Sequence, residues 1–318
     1  MKVLFLVQKE QRAILDALYE AVAANCECDT RRLTDSQQAD LQTYFAEEVD
    51  VCAYDRIVLF LRFKKEIRQV AFIRSLPNLV ILEHDAYQNY ISGKYQGRFS
   101  RHYRRLPWVR IISSGHTVSH QLREEGFDAV FVPKGYDQRI LEDLGHVRDI
   151  ELAFVGSTKH KAYVKRKELL EELASVENLS VTRTHSGQDY LTTLNRIRFF
   201  VSADVGMGEY MIKNFEAMAC GCVLLAYDQG SAENDALGLE DMGNVVLYKD
   251  VAQLRQKLAV LRADPSAASQ IAERGRDLAC DRYGFDRIGA EIVRALEKPL
   301  RPRQELGWFE NIYAKMGL

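Results

Sequence analysis

Short apolar runs alternate with amphipathic stretches along most of the chain, and the two periodicities together predict alternating strands and helices. VLFLV at 3–7 reads as a strand and RAILDALYEAVA at 12–23 as a helix. CECDTRRL at 26–33 comes next, followed by a polar helix around 35–48 and the strand RIVLFLR at 56–62. A basic helix at 64–75 then precedes the strand LVILEHD at 79–85. After a long excursion, VRIISSG at 109–115, VSHQLREEG at 118–126 and DAVFVPKG at 128–135 give strand, helix and strand. Such alternation calls for a parallel sheet wrapped by helices.

The pattern then restarts. IELAFVG at 150–156 is a strand, a polar loop follows, and VKRKELLEELA is helical. LSVTRTHSG at 179–187 is a strand and turn, Tyr190–Arg196 a helix, and RFFVSADVG at 198–206 a strand. VVLYKD at 245–250 is a last short strand before three helices that end near residue 297. Pro299 and Pro302 interrupt the chain ahead of a final helical stretch, ELGWFENIYAKMG. Two similar α/β halves joined near 136–149 predict two Rossmann-like domains facing across a cleft. The expected division is 1–145, 146–298 and a terminal helix in 299–318. Neither half contains G-x-G-x-x-G or a Walker loop, which argues against dinucleotide oxidoreductases and P-loop enzymes.

Between Glu209 and Glu233 the pattern carries candidate chemistry. Met211, Ile212, Phe215, Met218 and Ala219 fall on one helical face, and Gly221 stands where a helix terminus favours positive φ. CVLLAY then supplies a strand, and a Gly/Ser loop with acids follows. Lys213 and Glu216, three apart, share the other face. A cation and a carboxylate beside a helix start suit a phosphate and a pair of hydroxyls, as a nucleotide-sugar presents; the ordinary alternative is a solvated ion pair.

Composition narrows the class. The 318 residues are 47% hydrophobic and 28% charged, as in a globular protein with a sizeable core. A formal net charge of -2 gives no bulk attraction to nucleic acid. No apolar run approaches the ~18 residues of a membrane span, so a cytoplasmic protein is expected. The six cysteines, at 26, 28, 52, 220, 222 and 280, contain no C-x-x-C pair and are expected as reduced, mostly buried thiols. No D-x-D triplet and no His/Cys cluster with ligand spacing occurs.

In order, the segments ISSGHTVSHQLREEGFDAVFVPKGYD, IELAFVGSTKHKAYVKRKELLEEL, FFVSADVGMGEYMIKNFEAMACGCVLLAYDQG and LRADPSAASQIAERGRDLACDRYGFDRI span roughly 109–297. Together they resemble the donor-binding domain of GT-B glycosyltransferases of the group-1 or family-4-like set. That resemblance implies an α/β GT-B fold with an amino-terminal acceptor domain. It also implies an enzyme moving sugar from a nucleotide-sugar to a glycan or lipid-linked hydroxyl, without a metal or other cofactor.

The resemblance also assigns residues. The loop Gly156–Ser157–Thr158–Lys159 and Arg166 are expected at the donor diphosphate. Glu216 matches the second glutamate of the family's E-x7-E pattern, which holds the ribose hydroxyls. Gly208 occupies the first position, with Glu209 one residue late, a turn of about 100° on a helix. Lys213 falls where a branch similar to spore-maturation-type transferases has a basic residue, with Asn214 beside it. His185 and Ser186 lie where relatives grip the base, although an ordinary turn fits equally. His84 and Asp85 end a strand of the acceptor half and are candidates for proton transfer or acceptor binding; His116 is a further candidate. The terminal helix resembles the family segment that returns to the first domain, with Trp308 and Phe309 packing there.

KYQGRFSRHYRRLPW at 94–108 has six basic residues, aromatics and no acid. A solvated loop, a site for a phosphorylated or lipid-linked acceptor, and a peripheral anchor on the inner membrane face are the three readings. A GT-B sugar-nucleotide epimerase and a non-catalytic nucleotide- or glycan-binding protein are the alternatives to a transferase.

Overall fold

A computed structural model describes residues 1–10, 15–158 and 163–303. Lys159, Trp308, Phe309 and the expected terminal helix therefore lie outside the described residues. Two compact units make up the chain. The first contains Met1–Ser114, Val118–Val132 and the described residues from Gly289 on; the second contains Gly115–Thr117 and Pro133–Ile288.

In the first unit, β1 (Lys2–Gln8), β2 (Glu27–Leu33), β3 (Arg56–Phe60), β4 (Leu79–Glu83), β5 (Arg110–Ser113) and β6 (Asp128–Phe131) form one sheet, ordered β2-β1-β3-β4-β5-β6. All of its pairings are parallel. Val3, Leu4, Phe5, Leu6 and Val7 of β1 are all 0% exposed, as expected of a strand covered on both faces. The helices are α1 (Asp16–Asn25), α2 (Asp35–Ala39), α3 (Leu41–Glu48), α4 (Phe63–Glu66), α5 (Val70–Ile73), α6 (Arg98–Arg104) and α7 (His116–Glu124).

The second unit repeats the plan. Its sheet is ordered β11-β10-β9-β7-β8, from β7 (Ile150–Val155), β8 (Ser180–Thr182), β9 (Ile197–Ser202), β10 (Val223–Tyr227) and β11 (Val246–Tyr248). These pairings are parallel too. Around it run α8 (Val164–Val176), α9 (Gln188–Arg196), α10 (Ile212–Ala219), α11 (Ser231–Leu237), α12 (Val251–Ala263) and α13 (Pro265–Arg282). Phe154, Phe199, Val201, Leu225 and Tyr248 of the sheet pack with Leu170 and Leu173 of α8 and Leu254, Leu258 and Leu261 of α12. Each such side chain contributes about 1.5–3 kcal/mol when fully buried.

The last described helix, α14 (Phe285–Glu297), starts in the second unit and continues in the first from Gly289. Gly289 allows contact with α1: a Cβ there would stand 2.6 Å from the Ala21 Cβ. The buried Arg110 guanidinium donates to the carbonyls of Ala295 and Lys298, both at 2.9 Å, and of Pro299 at 2.8 Å, while Arg56 donates to Leu296 O at 2.8 Å. These cations satisfy the carbonyls that a helix end leaves open.

Several expectations need correction. The polar helix of 35–48 breaks at Asp40, whose carboxylate accepts from Thr43 N and so starts a new helix. The basic helix of 64–75 is two short helices, α4 and α5. The segment 94–108 is not a loop throughout: α6 buries Phe99, His102 and Tyr103 at helical spacing and leaves Arg98, Arg101 and Arg104 outside. The acid-bearing loop after β10 folds as α11. All six cysteines are free, yet only Cys220 and Cys222 are buried, while Cys52 and Cys280 are exposed.

Candidate active site

In a parallel sheet, ligands bind beyond the carboxyl ends of neighbouring strands whose connections run in opposite directions. In the second unit those strands are β7 and β9, which pair directly while β8 flanks β7 from the other side. The loop Gly156–Ser157–Thr158 leaves β7 at this point, and the loop carrying Asp204 leaves β9.

Asp204, 3% exposed, organises the site. Its Oδ1 accepts from Arg166 Nη2 at 2.6 Å. Its Oδ2 accepts from Asn214 Nδ2 at 2.8 Å, Ser202 Oγ at 3.1 Å and Met211 N at 3.2 Å. One carboxylate thereby fixes the start of α10 to the end of β9. Gln229, just beyond β10, holds the same loop from the other side: its Nε2 donates to Asp204 O at 2.8 Å and its Oε1 accepts from Gly208 N at 2.9 Å. Gly206 and Gly208 turn this loop at φ +70° and +72°, a region costly for other residues.

Arg166 projects from α8 into this network. Its guanidinium lies over the Tyr163 ring, 4.1 Å from the centroid, and donates to Ala203 O and Ser157 O besides Asp204. Three of the five N–H donors of an arginine are thus committed within the protein. Arg166 fixes the two loops to each other and adds its charge beside them.

Lys213 and Glu216 meet through a residue of α9. Tyr190 OH donates to Glu216 Oε2 at 2.6 Å and accepts from Lys213 Nζ at 3.3 Å. The same ammonium sits over the Tyr190 ring, 4.4 Å from its centroid. Lys213 also reaches back to the β7 loop: a Cβ on Gly156 would be 3.6 Å from its Cε and 2.9 Å from the Phe154 ring. A glycine there keeps the loop open to the lysine. Burial pulls the Lys213 ammonium below the usual lysine value, an effect the Glu216 charge offsets and the Arg166 charge adds to. Burial likewise raises the Glu216 carboxyl, against the influence of Lys213 and Tyr190. The charge of Arg183, between β8 and α9, also disfavours the Lys213 ammonium. Met211, the residue at the start of α10, supplies no side-chain cap; Asn214 N bonds Met211 O at 3.0 Å, which leaves the N–H groups of Ile212 and Lys213 to an anion.

The remaining predicted residues are distributed as follows. Asn214 is buried and belongs to the Asp204 network. Thr158 is half-buried on the β7 loop, and His185 and Ser186 are exposed between β8 and α9. Glu209, 1% exposed, receives Lys134 Nζ at 2.6 Å in a buried ion pair. His84 and Asp85 belong to the first unit. The His84 ring packs edge-on against Phe60, 4.9 Å between centroids, and the exposed Asp85 donates its N–H to Glu83 Oε1 at 2.7 Å. Among the described residues no group of three His, Cys, Asp or Glu is placed to hold a metal ion, and no helix is long and apolar enough to cross a membrane.

Sequence reasoning missed Tyr190, Asp204, Gln229, Lys134 and Arg183 as site residues. Lys134 carried one signal: a lone cation between the strand of DAVFVPKG and a glycine.

Two Rossmann-like parallel-sheet units, the second with polar and cationic side chains gathered at a strand switch point, have the α/β architecture of the GT-B fold. A family model described as glycosyl transferase-like matches residues 134–294, just over half the chain, and the protein belongs to that family. Its chemistry is therefore glycosyl transfer. No curated protein matches the sequence. Among solved structures, sucrose-phosphate synthase of Thermosynechococcus elongatus is similar with a TM-score of 0.67 at 13% identity, over 93% of this chain and 98% of that one. HepE of Anabaena, solved in complex with UDP and glucose, has a TM-score of 0.66 at 15% identity, over 94% and 100%. A glycosyltransferase of Rickettsia africae has a TM-score of 0.63 at 11% identity, over 93% and 97%. At these identities the likeness establishes the fold.

Proposed function

We propose that this enzyme transfers a sugar from a nucleotide-sugar to a hydroxyl of a glycan or lipid-linked acceptor, in cell-surface polysaccharide or glycolipid synthesis at the cytoplasmic face of the membrane. The observation that carries this reading is that Lys213 and Glu216 of α10 are both bonded to the hydroxyl of Tyr190 beside the β7 loop. Lys213, the first-turn N–H groups of α10 and the nearby Arg166 suit the donor diphosphate. They stabilise the leaving group as its charge develops, the step at which preorganised donors lower the barrier most. Glu216 offers carboxylate lone pairs to the ribose hydroxyls, and His185 and Ser186 lie on the base side. Gly156, Ser157 and Thr158 of the β7 loop and Asn214 in the first turn of α10 complete the donor site. This donor handling is built from side chains and backbone, so no metal or cofactor is assigned to it. That HepE, which shares the fold, was solved with UDP-glucose supports a nucleotide-sugar donor.

On the acceptor side, His84 and Asp85 at the end of β4 serve to deprotonate or hold the acceptor hydroxyl. The outer face of α6 supports an anionic acceptor or membrane surface: Arg98, Arg101 and Arg104 are exposed, and Arg104 is paired with Glu125.

The test is calorimetry and thermal shift with UDP, GDP, ADP, CMP and dTDP sugars. A bound nucleotide near 100 times its Kd stabilises the protein by about 2.7 kcal/mol. Lys213→Ala and Glu216→Ala should each abolish that gain together with turnover; unchanged nucleotide binding in both variants would overturn the donor-site assignment.

A further inference from the structure

Lys213 and Glu216 lie three residues apart on α10, a spacing at which opposite charges pair directly on a helix surface. They do not: among the described residues no ion pair forms between them, and the hydroxyl of Tyr190 bonds both. A phenol has one proton to donate and lone pairs to accept with. Here the proton goes to Glu216 Oε2 and an oxygen lone pair takes the lysine ammonium. The ring face holds that ammonium a second time. Tyr190 itself is 8% exposed and is anchored by the buried Leu191 and Leu194 of its own helix, so the phenol has little freedom to turn away.

We infer that Tyr190 is a positioning residue that keeps the diphosphate-binding cation and the ribose-binding carboxylate of the donor site apart and set for use. This inference rests on the donor-site reading above. With Oε2 occupied by the phenol, Glu216 presents Oε1 in a fixed plane for a vicinal diol. With its ammonium over the ring, Lys213 stays extended toward the Gly156 loop and does not fold down onto Glu216. Removal of the hydroxyl lets the two charges collapse onto each other. Each then neutralises the partner that the nucleotide needs, and recognition of ribose and diphosphate is lost together.

The test uses the full chain and equilibrium calorimetry with UDP, GDP and ADP, together with the monophosphate and 2′-deoxy counterpart of whichever diphosphate the wild type binds. Tyr190→Phe keeps the ring and removes only the hydroxyl. It should weaken the ribonucleoside diphosphate about tenfold, the scale of one hydrogen bond to a charged group, and weaken the 2′-deoxy form clearly less. Tyr190→Phe should also reduce the preference for diphosphate over monophosphate, and Tyr190→Leu, which loses the ring face as well, should reduce it further. Tyr190→Phe/Glu216→Gln should bind no worse than Glu216→Gln alone, and this double variant leaves no unpaired carboxylate to disturb folding. A purely structural tyrosine would weaken ribo and deoxy forms equally and would add its loss to that of Glu216→Gln; either result overturns the inference. Glu216→Gln changing ribose discrimination while Tyr190→Phe does not would refute Tyr190's role and leave the donor site standing. If no wild-type nucleotide binding is detected, or Glu216→Gln is without effect, the donor reading fails and the inference with it.

Discussion

The buried pair Lys134–Glu209 offers the sharpest test of the energetics of this fold. The side chains are 6% and 1% exposed, and Nζ and Oε1 stand 2.6 Å apart. Lys134→Met removes the charge while nearly preserving volume, with Met211 Sδ already 3.6 Å from the ammonium. Glu209 then stays in the interior without the lysine at its Oε1. Breaking one side of a buried pair typically costs ~3–5 kcal/mol, more than the pair adds relative to an apolar replacement. For a unit of this size that corresponds to a melting point lower by roughly 6–20 °C. Urea unfolding of the wild type, Lys134→Met, Glu209→Gln and the double variant closes the cycle. Lys134→Met should be the least stable of the four, and adding Glu209→Gln should recover much of the loss. A loss under about 1 kcal/mol in the single variant, or a double variant no better than it, refutes the reasoning.

Burial holds the Glu216 carboxyl above the usual glutamate value of 4.5. A raised carboxyl binds its proton more tightly in the folded state, so its contribution is fully present below pH 4.5 and is lost as pH rises through the folded value. The stability of wild type minus that of Glu216→Gln should therefore fall as pH increases from 4.5, and a pH-independent difference would count against this. Gly289→Val places a side chain against Ala21 Cβ and the Ala21 backbone, at 2.6 and 2.7 Å for the first added carbon; circular-dichroism melts should show about 1–3 kcal/mol of destabilisation. Alkylation at pH 8 followed by peptide mapping should label the exposed Cys52 and Cys280 first. Cys220 and Cys222, buried and with the Cys222 thiol pushed up to about 12, should react only on unfolding.

The strands were legible because VLFLV, RIVLF and LVILE are continuous apolar runs that only a sheet covered on both faces can bury. Lys213 and Glu216 were legible because helical spacing brings i and i+3 together, a local rule. Tyr190 was not, since its link to Glu216 joins residues 26 apart, on two helices that are brought together by packing on β9. Asp204 and Arg166, separated by 38 positions, are likewise partners only because β7 and β9 are neighbours in the sheet. α6 escaped because its arginines dominate the composition of 94–108, while Phe99, His102 and Tyr103 hold the helical period beneath them. Glu209 stands one residue off a family pattern, and the structure gives it a buried lysine from a loop 75 residues away.

The crossing of α14 from one unit into the other has a consequence for how the molecule is made. The first unit is interrupted after Val132 and resumes only at Gly289. A ribosome therefore emits the whole body of the second unit before the first receives the helix that packs on α1 and accepts from Arg56 and Arg110. Until then Arg110, 5% exposed in the finished fold, has no carbonyls from α14 to bind. The second unit can close while still tethered to a neighbour whose six strands are already made and which lacks only the cover that α14 supplies.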